Sequence, residues 1–257
     1  MATTPEPNEV ITRFLQGFAA QVDVDPAVLG VAGVSLAPRP DRADSGVVAV
    51  YRVDDRIVLW CDPAVASELA PLVDDVGPAP LDEWQKALDA AAFDLAGAAR
   101  MRVAPELRAI EPNAAIPYLD GHLLADAPDT LPLVEALTGQ CDPDEVEAAA
   151  LDELDDYDEV AINVVTAGDD PSLVAYASAE LWEWDDVFGD IGVLVHPDHR
   201  RQGLGLRVVS RTTLELLEEG RLPLYRHEVG NAGSSGLADQ LGFRPVADLA
   251  VFVKAGG

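Results

Sequence analysis

The stretch Ile191-Gly-Val-Leu-Val-His-Pro-Asp-His-Arg-Arg-Gln-Gly-Leu-Gly-Leu206 decides how this chain is read. It runs from an apolar, β-branched segment through a proline turn and a glycine-containing loop into a helical pattern, Gln202 to Glu219, with Leu206, Val209, Leu216 and Leu217 on one face. The first N–H groups of such a helix lack intrahelical partners and the macrodipole is positive there, so the loop welcomes an anion. Gly203 and Gly205 would let a phosphate approach the backbone without a Cβ in the way. Arg200, Arg201, Arg207 and Arg211 concentrate positive charge ahead of and within the first turns, where it opposes the dipole. An anion that draws them together, diphosphate above all, is the economical explanation. A dinucleotide fingerprint fails because Val208 stands where a third glycine or alanine belongs.

Outward from this segment, the order from residue 115 to 257 reads β-α-α-β-β-β-α-β-α-β. The strands are Tyr118–Leu124, Glu159–Thr166, Leu173–Trp182, Gly189–Val195, Leu224–Val229 and one within Phe243–Val253. The helices are Asp129–Leu137, Pro143–Leu154, Gln202–Glu219 and Gly233–Leu241. Gly168 to Pro171 makes a turn. This is an α+β pattern, a mixed central β-sheet flanked by helices. The Pro-bearing stretch Pro105 to Pro117 is a candidate linker, so residues 1–110 form an additional N-terminal α/β region. That region opens with an amphipathic helix carrying Val10, Ile11, Phe14, Leu15, Phe18 and Val22. A hairpin follows, Val47–Val53 and Arg56–Cys61 about Asp54-Asp55, and then helical patterns at Pro63–Val73 and Leu81–Ala99. None of it has catalytic spacing.

The chain has 257 residues, 49% of them hydrophobic, which is ample for packed cores. Its formal charge of −29 repels a phosphate backbone, so nucleic acid is not an expected partner. No apolar run approaches the roughly 18 to 20 residues of a membrane helix, and the N-terminus lacks a signal-peptide pattern. A cytoplasmic protein with no membrane partner is expected; a homodimer is left open. Cys61 and Cys141 have neither metal-ligand nor disulfide-scaffold spacing and read as free thiols. His196 and His199 flank Pro197-Asp198 with no further ligands at metal spacing, so no metal is expected.

Val195-His-Pro197 followed by Arg200-Arg-Gln-Gly203-Leu-Gly205 resembles the V-x-P and R/Q-x-x-G-x-G/A signature of the GCN5-related N-acetyltransferases. Asn231-Ala-Gly-Ser234, and then Leu241-Gly242-Phe243, resembles the same family's second block. The resemblance covers a little over half the chain and implies a GNAT domain at 115–257. Residues 1–110 lie outside it, as a separate domain or a decayed copy of the same fold. It implies acetyl-CoA as cosubstrate, with backbone groups of Val193, Leu194 and Val195 pairing with the pantetheine arm. Arg200, Arg201, Gln202, Gly203, Leu204, Gly205 and Leu206 would cradle the diphosphate, and Asn231 and Ser234 would complete the cofactor set. Asn231 can equally cap the following helix.

Acetyl transfer needs a neutral amine, stabilisation of the oxyanion and a proton for the leaving thiolate. Where the resemblance implies a proton-donating tyrosine, this chain has Ala238; Tyr225 is the candidate replacement, although such a strand tyrosine also serves as packing. For the base, the resemblance implies a carboxylate near the start of the strand before the loop, close to Asp190, with a solvated turn as its other reading. The resemblance also implies a glutamate on the next strand, five residues before the asparagine, where this chain has Arg226, with His227 and Glu228 as nearest substitutes. The cluster Leu181 to Asp186, with Trp182 and Trp184, could receive a cationic amine or be surface packing. The expected function is N-acetyl transfer to a primary amine of a small molecule or protein by direct transfer in a ternary complex. The alternative is a silent acyl-CoA-binding sensor.

Overall fold

The computed structural model describes residues 7–21, 24, 26–29, 32–107, 118–123, 130–149, 159–167, 172–181 and 187–256. Its first elements are α1 (Pro7–Gln21), α2 (Pro26–Leu29), β1 (Gly33–Pro38), β2 (Val47–Val53), β3 (Arg56–Cys61), α3 (Ala66–Val76), α4 (Leu81–Ala90) and β4 (Phe93–Val103). Then come β5 (Tyr118–Leu123), α5 (Thr130–Thr138), α6 (Pro143–Ala148), β6 (Glu159–Ala167), β7 (Leu173–Leu181), β8 (Phe188–Val195), α7 (Leu204–Glu218), β9 (Leu222–Glu228), α8 (Ala232–Leu241) and β10 (Arg244–Lys254). The expected turn at Gly168 to Pro171, the residues beyond 149 of the expected helix 143–154, Val22 and the Trp182 and Trp184 cluster lie outside the described residues. Among those described, no helix is long and apolar enough to cross a membrane. The described chain divides into two compact units, one within 5–102, 226–231 and 245–257, the other within 103–225 and 232–244.

In the first unit, the β2–β3 hairpin forms where the β-branched runs flank Asp54, whose φ of 52° suits a short polar side chain. β3 also pairs in parallel with β1, and β2 pairs antiparallel with β10. One sheet face buries Val48, Val50, Ile57 and Leu59 against Leu69 of α3 and Trp84 and Leu88 of α4. On the helix α1, Val10, Phe14 and Phe18 are buried at the expected helical spacing, and the Phe18 ring lies 4.8 Å from that of Tyr51 on β2. Burying each phenylalanine stabilises by about 1.5–3 kcal/mol. The expected helix 81–99 is corrected: it ends at Ala90, and Ala92 turns the chain at φ 61° into β4. Alanine-rich sequence favours helix locally, but strand neighbours supply the backbone partners that decide the matter.

The second unit is built on the mixed sheet order β9-β8-β7-β6-β5, antiparallel throughout except for the parallel β8–β9 pair. Residues 173–179 of β7 are all buried, as a strand covered on both faces requires. Ala175, Ala177, Ala179 and Ile191 meet Leu204, Val208, Val209 and Leu216 of α7, the small alanines letting the helix sit close. On the opposite face Val164, Tyr176 and Leu194 meet Val134 and Leu137 of α5 and Ala149 after α6.

That second face fixes Gly192 of β8, because a Cβ there would overlap the carbonyl oxygen of Ala149. Gly192→Ala is expected to destabilise the protein by about 1–3 kcal/mol, read as a lower urea midpoint with an unchanged slope.

Candidate functional site

β8 pairs with β7 from Gly189 through Val195, but its pairing with β9 stops at Asp190 against Leu224. Five more residues of β8 therefore run with a strand on one side only. The N–H of His196 donates to Val174 of β7 at 2.9 Å, so by the two-residue period the even-numbered backbone groups face β7. The groups of Ile191, Val193 and Val195 face the other side, where a linear amide-bearing ligand can take the place of a strand. Leu194, proposed from the resemblance alongside Val193 and Val195, turns its backbone to β7.

The loop that follows ends this edge at a helix N-terminus. A short 3-10 turn, Pro197–His199, leads to Arg201 at φ 61° and Gly203 at φ 81°. Left-handed residues on either side of Gln202 gather N–H groups into an anion-accepting concavity. The N–H of Arg207 is bonded to Gly203 at 3.0 Å as the helix ladder begins, so those of Leu204, Gly205 and Leu206 are the open ones of the first turn. A Cβ on Gly203 would meet nothing within 4 Å, which identifies conformation and open space as what this glycine provides. Gly205 has a packing reason: its Cβ would lie 3.2 Å from Leu237 and 3.4 Å from Val195 side-chain atoms.

Three of the four arginines of this segment have carboxylate neighbours within the protein. The guanidinium of Arg200 makes a bidentate pair with Glu145 at 2.9 and 2.6 Å, which raises its pKa, and its Nε donates to the Val195 carbonyl at 3.1 Å. Arg207 pairs with Asp120 of β5 at 2.6 and 2.7 Å, and Arg211 lies 3.6 Å from the same carboxylate. The anions that gather these three are the protein's own. Among the described residues Arg201, exposed, has no carboxylate partner.

Tyr225, the first residue of β9 beyond the last β8 pair, is buried in the core formed with α7 and α8. Burial raises its phenol pKa and a hydrogen bond with Ser234 opposes that rise; the ring lies 5.7 Å from Phe243. Ser234 stands one helical turn before Ala238, itself fully buried. Asp190 is buried at 6% exposure, and strand alternation puts its side chain on the α5 and α6 face, opposite Tyr225. Glu228 is exposed at the end of β9. His227 accepts from Arg102 Nε at 3.1 Å and donates its Nδ1–H to the Glu228 carbonyl at 2.9 Å, so its ring is fully engaged. Asn231 immediately precedes α8, its N–H donating to Glu228 at 3.2 Å. His196 and His199 stack edge to face at 5.2 Å, and no group of three metal-ligating side chains occurs among the described residues. Sequence reading missed Tyr118, whose hydroxyl reaches both His199 and Gln202.

Residues 177–252 match the family model of the FR47-like protein. No curated protein matches the chain. Among solved structures, the tandem GNAT protein from the clavulanic acid biosynthesis pathway is 13% identical, with 98% of this chain and 97% of that one covered at a TM-score of 0.53. A GCN5-related N-acetyltransferase from Sphaerobacter thermophilus is 12% identical over 98% and 94% of the two chains, at 0.48. One from Kribbella flavida is 19% identical over 67% of this chain and 64% of that one, at 0.49. Both signature blocks lie within the matched residues 177–252, and the chain as a whole has the fold of the tandem protein. Residues 177–252 are thus similar to the FR47-like family, and the chain has a GNAT acetyltransferase fold.

Neither cysteine lies in the loop or on β8. Burial pushes the Cys61 thiol up to about 11, and desolvation also raises half-buried Cys141. At pH 8 only about one Cys61 thiol in a thousand is ionised, so the native protein should leave Cys61 unmodified by a disulfide reagent that titrates both thiols after unfolding. Rapid native reaction of both would contradict this placement.

Proposed function

We propose that the chain is an acetyl-CoA-dependent N-acetyltransferase acting on a primary amine by direct transfer. The observation that supports this reading most is continuous in the chain: the one-sided edge of β8 runs directly into the left-handed loop and N-terminus of α7. The N–H and C=O groups of Val193 and the N–H of Val195 would pair with pantetheine amides, as a strand would. The N–H groups of Gly203, Leu204, Gly205 and Leu206 would take the diphosphate, with Arg201 adding charge and Asn231 and Ser234 assigned by family resemblance. Tyr118, Asp120 and Glu145 hold this loop from outside.

In the reaction the amine nitrogen loses a proton to a base and attacks the thioester carbonyl. The C–N bond forms, the C–S bond breaks and the thiolate is protonated. The end of the β8–β9 pairing is the place for the carbonyl, with Asp190 on one sheet face as the base candidate and Tyr225 on the other as the acid. Glu228, exposed, is the second base candidate. Opposite faces suit direct transfer, since the amine and the leaving thiolate exchange protons with separate groups. Ala238, in the core where the resemblance implies a tyrosine, favours a second reading, an acyl-CoA-binding sensor without turnover. The match of nearly the whole chain to a tandem GNAT fold supports reading the N-terminal half as a decayed copy.

Calorimetry should show acetyl-CoA binding to the wild type below about 1 mM and none to Gly203→Glu, which puts a negative carboxylate into the loop. An amine screen with a free-thiol readout should then find turnover, lowered about 10²-fold by Tyr225→Phe with donor affinity kept. A phenol pKa raised by burial is protonated below its ordinary 10.0, so the acid function should persist through neutral pH and fade only above pH 10. Donor binding with persistent silence toward amines selects the sensor; no donor binding refutes both readings.

A further inference from the structure

We infer that Tyr118 is a positioning residue that polarises the donor loop, turning hydrogen-bond donors toward the donor diphosphate and occupying the acceptors; this rests on the reading of that loop as the diphosphate site. The Tyr118 hydroxyl, on β5, donates to the Gln202 side-chain oxygen at 3.0 Å and lies 2.8 Å from Nδ1 of His199. A phenol has one proton, and Gln202 takes it, so the phenol oxygen accepts from His199 Nδ1–H. With its oxygen turned to Tyr118, the planar Gln202 amide directs its NH2, a donor, to the other side.

Two further acceptors along the loop are engaged in the same manner. The Val195 carbonyl accepts Arg200 Nε at 3.1 Å, and His196 Nδ1 accepts the N–H of Asp198 at 3.2 Å. An unmasked acceptor would repel a phosphate oxygen, whereas the N–H groups of the left-handed loop and the first turn of α7 attract it. Asp120, two residues along β5, holds Arg207 and Arg211, so one strand secures both the loop tip and the start of the helix. Neither Tyr118 nor Asp120 contacts the donor in this account; both act through the loop.

The test begins without ligand, by backbone amide exchange on the full chain in wild type, Tyr118→Phe and, as control, Leu119→Ala, whose side chain is 56% exposed on the same strand. Tyr118→Phe should speed exchange of the bonded amides of His199, Arg200 and Arg207 about three- to tenfold, with Leu119→Ala unchanged there and the melting temperature of both near wild type. Titration with acetyl-CoA should show affinity weakened about three- to tenfold by Tyr118→Phe, KM for the donor raised and kcat kept. Gln202→Leu combined with Tyr118→Phe should weaken affinity little beyond either alone, because the two share one hydrogen bond. Unchanged loop exchange in Tyr118→Phe, or full additivity with Gln202→Leu, overturns the inference. Faster loop exchange in a protein that does not bind acetyl-CoA would keep Tyr118 as the loop's anchor and refute the donor reading instead.

Discussion

The structure of the second unit depends on a strand that is paired on one side only. A buried backbone N–H or C=O left without a partner costs about 1–3 kcal/mol, so a strand edge inside a fold must be filled, covered or used. β8 pairs with β7 from Gly189 through Val195 and with β9 only through Asp190. Beyond Asp190 no β8–β9 pair occurs among the described residues, and the strand runs on to the positive end of α7. The fold thus places a polar strand edge and the N-terminus of α7 in line, a few residues apart.

The elements around that line pack and pair against it. Alanines on β7 let α7 press close, and Gly192 admits the backbone after α6 on the other face. Asp120, Glu145 and Tyr118 draw the arginines and polar side chains of the loop outward into fixed pairs. These pairs are exposed, and exposed ion pairs contribute little to stability; their effect is geometric, holding loop and helix start in register.

Much of this was legible in the sequence because its causes are local. The hairpin at Asp54-Asp55, the helical spacing of Phe14 and Phe18, and the strand-loop-helix passage from Ile191 follow from period, turn chemistry and helix-terminus physics. β4 was not legible, because Ala-rich residues 93–103 become strand only through partners elsewhere in the chain, and the pairing of β10 with β2 joins residues some two hundred positions apart. The carboxylate partners of the arginine cluster were hidden for the same reason: Glu145 is 55 positions from Arg200, and Asp120 is 87 from Arg207. Spacing identified charges that needed anions but could not say that the protein supplies them. Tyr118 carried no signal at all, since a lone tyrosine opening a strand reads as packing.

The most direct test of the account is a crystal structure with acetyl-CoA bound. The pantetheine amides should be hydrogen-bonded to the backbone of Val193 and Val195, the diphosphate should sit on the N–H groups of residues 203–206, and the thioester should lie beside the end of the β8–β9 pairing. A donor seated elsewhere, or a diphosphate held by Arg207 and Arg211 with Asp120 released, would contradict it.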